Sequence, residues 1–148
     1  MDVRAHRLDD RSLAYVVLRV TLGLNIFMHG FSRVLGGVGK FVDSMDKMFG
    51  NTPLPITFVQ PFAYALPWLE AGIGFLIFTG FRTREALVTG ALLMLALTFG
   101  TALRQDWDVA GLQLLYSAVY AALIAGLPYN RLSVDQKFAA RNQESKPK

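Results

Sequence analysis

Four long apolar runs, separated by short charged links, constrain this chain more than any other feature. They occupy residues 12–31, 58–81, 85–103 and 109–129. Each is close to or above the roughly 20 residues needed to cross a bilayer core of about 30 Å. Charges crowd into residues 1–11, the links and residues 131–148. A charge held at mid-bilayer costs about 3 kcal/mol on insertion scales, so a membrane imposes this spacing. Only 18% of the 148 residues are charged and 53% are hydrophobic, which sets the chain apart from soluble domains. The expected fold is an all-α membrane protein, a four-transmembrane-helix bundle. Residues 1–11 form its cytoplasmic N-terminus, 12–135 a single transmembrane domain, and 136–148 a basic cytoplasmic tail.

The first run rivals a signal peptide, but Arg19 interrupts it and no clean cleavage site follows. It is read as a true span. In the link after it, Phe41, Met45, Met48 and Phe49 recur at helical spacing, with Asp43, Asp46 and Lys47 on other faces. That pattern predicts a short amphipathic helix lying at the interface. Pro61 and Pro67 bend the second span. Lys and Arg counts set the orientation. With the N-terminus inside, Arg4, Arg7, Arg11, Arg82, Arg84, Arg131, Lys137, Arg141, Lys146 and Lys148 are cytoplasmic, against Arg33, Lys40, Lys47 and Arg104 outside. Both termini are therefore expected in the cytoplasm, with the cell inner membrane as the location.

Composition excludes several functions. With no cysteine, the chain supplies no disulfide, iron–sulfur ligand or thiol redox pair. Of the two histidines, His6 lies in the charged N-terminus, so no haem or metal site is expected from this chain alone. The net charge of +4 belongs to helix ends facing lipid headgroups, and nucleic acid is rejected as a partner.

Polar residues inside the spans are the candidate site. Arg19 and Glu70 fall at heights differing by about 6 Å when the spans are aligned at their ends, which predicts an ion pair. Such a pair serves helix register or chemistry. Asn25 and His29 share a face of the first helix, and Gln113, Tyr116 and Tyr120 share one on the fourth. Together they are expected to line a pocket that holds a quinone head, or else to serve as ordinary packing and interface residues. Thr98 and Thr101 read as back-bonding packing residues, and Trp68 is expected beside Glu70.

Three motifs carry a family resemblance. They are Leu18-Arg19 through His29-Gly30, then Leu69-Glu70 with Gly72 and Gly74 leading to Thr79-Gly80-Phe81-Arg82-Thr83-Arg84, and finally Arg131-Leu132-Ser133-Val134-Asp135. In this order, over nearly all of residues 12–135, the chain resembles the DoxX family of small four-helix membrane proteins. Arg33 stands where that family has lysine, and Leu127-Pro128-Tyr129-Asn130 replaces its Gly-Pro-Gly. The resemblance implies membrane redox metabolism, including subunits of thiosulfate:quinone oxidoreductase or of quinol oxidases. It assigns Arg19, His29 and Glu70 to the polar motif.

Three functions follow as expectations. The first is a subunit of a quinone-linked oxidoreductase, with Glu70, Arg19 and His29 as the catalytic set and other redox subunits as partners. The second is a non-catalytic accessory bundle stabilising a larger membrane complex. The third is a small anion transporter built by oligomerisation.

Overall fold

The computed structural model describes residues 9–144. Arg4, His6, Arg7, Lys146 and Lys148, used above for charge and exclusion, lie outside them. The described residues form α1 (Asp10–Gly36), α2 (Val38–Phe49), α3 (Ile56–Thr79), α4 (Thr83–Leu103), α5 (Trp107–Ala125), a 3-10 turn (Leu127–Tyr129) and α6 (Val134–Glu144). No strand occurs among them. The helices α1, α3, α4 and α5 are long and apolar enough to cross a membrane. The chain is an all-α membrane protein.

Local chemistry sets the helix ends. The Asp9 carboxylate accepts the Ser12 amide at 3.2 Å and caps α1. At the far end α1 runs past Phe31 as far as Gly37, where φ reaches 98°. Nothing between Ser32 and Gly36 breaks a helix, so Arg33 is helical rather than part of a link. Then α2 begins, where the Phe41–Phe49 pattern predicts it. Gly80 closes α3 in the left-handed region, with its amide on Leu76 and Ile77 carbonyls and the Phe81 amide on Leu76. Gly126 and Pro128 end the fourth span early, at Ala125.

Antiparallel α1 and α3 make the tightest contact in the bundle. A Cβ on Gly74 would fall 2.2 Å from the Phe27 nitrogen, and one on Gly30 would fall 2.3 Å from the Pro67 carbonyl oxygen. Only glycine allows backbones this close, and that closeness drives helix pairing where lipid removes the hydrophobic effect. A second antiparallel pair, α4 and α5, packs Tyr120 against Gly90. Between the pairs lies a core of Leu22, Ile26, Ile73, Ile77, Leu87, Met94 and Leu123. One end of the bundle carries α2, and the other carries the turn and α6.

Candidate functional site

The glycine contacts fix the register of α1 on α3, and this register separates Arg19 from Glu70. Gly30 lies against Pro67 and Ala71, which puts Glu70 level with Gly30. Arg19 is eleven residues away along α1, about 16 Å at 1.5 Å per residue. The expected Arg19–Glu70 ion pair is therefore not formed. Aligning the spans at their ends misplaced them. The first turns of α1 extend beyond the end of α3 and are covered instead by the connection after α5, where Tyr15 meets Gly126.

Arg19 is buried at the α6 end, where carbonyls take up its two terminal nitrogens while its Nε has no partner among the described residues. Its Nη1 donates to Ile77 O at 2.7 Å and Phe78 O at 3.0 Å, and its Nη2 donates to Leu132 O at 2.8 Å. Two of these belong to the last turn of α3, the negative end of its dipole. Around it the chain ties a polar lock. The Asp135 carboxylate accepts the Arg82 amide at 2.7 Å, the Thr83 amide at 2.8 Å and the Thr83 hydroxyl at 2.7 Å. Asn130 Nδ2 donates to the same Thr83 hydroxyl oxygen at 3.0 Å, and the Asp135 amide donates to Gly80 O at 3.0 Å. Asp135 thus caps α4, a helix whose own N-cap, Arg82, offers no side-chain cap. Gly80 is required here, because a Cβ would meet Arg19 Nη1 at 2.5 Å.

Glu70 is buried in mid-bundle and pairs with Arg33, whose guanidinium also lies over the Phe41 ring at 4.7 Å. Sequence reading placed Arg33 in a link and missed this pair. The signal was the seven-residue spacing from Ile26, which keeps Arg33 on the inward face once α1 is allowed to continue. At the same end Arg104 pairs with Asp106 at 3.0 Å and lies over Phe49 at 5.6 Å. The two guanidiniums hold the two ends of α2 against the bundle. Beneath α2 lies a cavity of about 440 Å³, walled by α2, α3, α4 and the start of α5.

The five residues expected around one quinone head are divided. Gln113 lines the cavity under α2 and accepts the Thr101 hydroxyl at 2.7 Å. Tyr120 is fully buried against Gly90. The Tyr116 hydroxyl donates to Asn25 Oδ1 at 2.9 Å on the exposed flank between α1 and α5. His29 is exposed on that same flank of α1, and its ring makes no hydrogen bond to the described residues. Thr98 bonds back to the Met94 carbonyl as expected, whereas Thr101, whose hydroxyl also lies 3.1 Å from Leu97 O, gives its one hydrogen to Gln113. Trp68 is 60% exposed, pointing away from the core that holds Glu70. Among the described residues no group of acidic or histidine side chains is placed to hold a metal.

The arrangement thus has a structural lock at one end, a cavity at the other, and a polar flank at mid-height. A family model described as methylamine utilisation protein MauE matches residues 11–110, more than half of the chain. The chain belongs to the MauE family. This corrects the DoxX resemblance, since the family that matches is MauE. The motifs behind that resemblance do architectural work in this MauE-family protein. Gly30 and Gly74 set helix approach, Arg19 staples α3, and Asp135 caps α4, so they mark a small four-helix bundle rather than one activity. The match covers α1 to the start of α5, and so takes in Arg19, His29, Arg33 and Glu70 but not Gln113, Tyr116 or Tyr120. No curated protein and no solved structure matches the chain.

Proposed function

We propose that this MauE-family protein is a non-catalytic accessory subunit of the cell inner membrane, holding a transmembrane partner within the machinery of methylamine utilisation. The observation that carries this reading is the polar flank of α1. Asn25, His29 and Ser32 are all exposed on one side of the helix. Asn25 is level with Tyr116, the middle of α5, and Gly30 is level with Pro67, the middle of α3. An imidazole and an amide at mid-bilayer are costly against lipid and favourable against another helix that bonds to them. The family's description supports the pathway, and the Lys and Arg distribution, ten against three once Arg33 is counted within α1, supports cytoplasmic termini.

The test is site-specific photo-crosslinking in cells grown on methylamine. A photoreactive residue at Thr21, Asn25 or Ser32 is expected to give one discrete protein adduct, identified by mass spectrometry, while Leu92 on α4 gives lipid adducts only. His29→Leu is expected to weaken that adduct and slow growth on methylamine. Lipid adducts at every position would overturn the reading, as would turnover of a quinone by the isolated chain.

A further inference from the structure

We infer that the cavity beneath α2 is a binding site for a neutral, single-chain lipid amphiphile whose head accepts hydrogen bonds. This inference is independent of the partner-docking reading, since it uses another face and another set of residues.

Three observations on the cavity carry it. Its walls are apolar and soft, with Met45 and Met48 from α2 facing Phe58, Phe62 and Leu66 from α3. Methionine adapts to irregular chains, and about 440 Å³ is within the range of small-molecule sites. Its mouth reaches the lipid phase, because Phe58 and Phe99 are at once wall residues and 68% and 61% exposed. An occupant therefore enters from the bilayer. Its polar end is charge-balanced. Arg33 and Arg104 both line the cavity, but each is matched by its own carboxylate, Glu70 and Asp106. An anionic head would meet no excess positive charge, and it would meet the Asp106 carboxylate in the wall. A neutral oxygen has donors to use. The amide nitrogen of Gln113 has no partner among the described residues, while its oxygen is held by Thr101. With the one Thr101 hydrogen placed on this shortest of its contacts, the amide turns its NH2 toward the cavity.

Helix α2 roofs the cavity between Gly37 and Gly50, held on the bundle by buried Val42 and Phe49, by the Gln60 amide donating to Asp46 at 2.7 Å and by guanidinium–ring contacts at Phe41 and Phe49. Neutral carbonyl or ester heads on an apolar tail occur both in isoprenoid quinones and in monoacylglycerols, and the site's chemistry is shared by the two.

The experiment uses the full chain in nanodiscs with a monoacylglycerol carrying a diazirine in its acyl chain, and maps labelled residues by mass spectrometry. Labelling is expected on α2, on Phe58–Leu66 and on Ala96–Gly100, and excess unlabelled 1-monoolein or decyl-ubiquinone is expected to suppress it. Whichever of these two suppresses it at lower concentration names the source. Gln113→Leu is expected to raise the half-suppressing concentration about tenfold, the worth of one hydrogen bond. Ala96→Trp fills the cavity from α4 and should abolish the labelling; should that variant not fold, Met45→Trp fills it from the interfacial roof. Even labelling of lipid-facing residues such as Leu92 and Leu114, unaffected by competitors, would overturn the proposal. Stronger suppression by oleate than by either neutral competitor would overturn it too.

Discussion

A double-mutant cycle on Arg33, Arg19 and Glu70 tests the register of the bundle directly. Glu70 is nearly buried, with 7% of its side chain exposed, whereas Arg33 keeps 29% exposed. Breaking a fully buried pair costs about 3–5 kcal/mol, and an exposed pair is worth at most about 1 kcal/mol. This pair lies between those limits, so a coupling of about 2 kcal/mol is expected, roughly 30-fold in the unfolding constant. The two single variants should differ. Arg33→Met strands the more buried carboxylate and is expected to cost about 3 kcal/mol; Glu70→Gln frees an arginine that can swing toward water, costing about 2 kcal/mol. Arg19→Met destabilises for another reason, leaving the Phe78 and Leu132 carbonyls unpaired and Ile77 O with the Gly80 amide alone, and should add to Glu70→Gln within about 0.5 kcal/mol. Equilibrium unfolding in mixed micelles, followed by tryptophan fluorescence and circular dichroism, supplies the free energies. Coupling above about 1 kcal/mol between Arg19 and Glu70, with none between Arg33 and Glu70, would refute the register and the site built on it.

Three further outcomes are expected. Gly74→Leu places a side chain where Phe27 backbone atoms already stand 2.2 and 2.6 Å from an ideal Cβ, so α1 and α3 must part, at a cost of about 3 kcal/mol in the same assay; near-neutral behaviour would contradict the close contact. Asp135→Ala removes the acceptor of two amides and a hydroxyl, and is expected to destabilise by about 2–4 kcal/mol and speed hydrogen exchange at Arg82 and Thr83 selectively. Hydrogen bonding from Ser12 holds the Asp9 carboxyl below its ordinary value of 3.8. Its cap is therefore fully present above that value and lost as pH falls through the lowered one. An NMR titration of the Ser12 amide should show a midpoint below 3.8, absent in Asp9→Ala; a midpoint at or above 3.8 would refute the cap.

The helices were legible because bilayer thickness and charge exclusion write themselves into residue order, and α2 because Phe41, Met45, Met48 and Phe49 share one face. Register was not. Sliding α1 by several residues leaves every apolar run unchanged, and only the close approach of Gly74 to Phe27 and of Gly30 to Pro67 and Ala71 selects one offset. This is why Arg19 was matched with the wrong partner and Arg33 was overlooked. The candidate site suffered likewise. Helical spacing put Gln113, Tyr116 and Tyr120 on one face, yet they reach three environments, since a face about 100° wide on α5 borders α1, α4 and the cavity at once. Asp135 had no signal as a cap, because it lies over fifty residues from the amides it serves.

The lock also imposes an order on biogenesis. Arg19 enters the membrane with α1, while the Leu132 carbonyl that completes its coordination is made 113 residues later and the Asp135 that caps α4 follows it. Until α3 supplies the Ile77 and Phe78 carbonyls and Leu132 then adds the third, the guanidinium must be shielded by the insertion machinery or by lipid headgroups. The bundle can close only after Leu132 and Asp135 have been made, so truncation after Ala125, which spares all four spans but removes both, should leave a chain that inserts yet is cleared by membrane proteases.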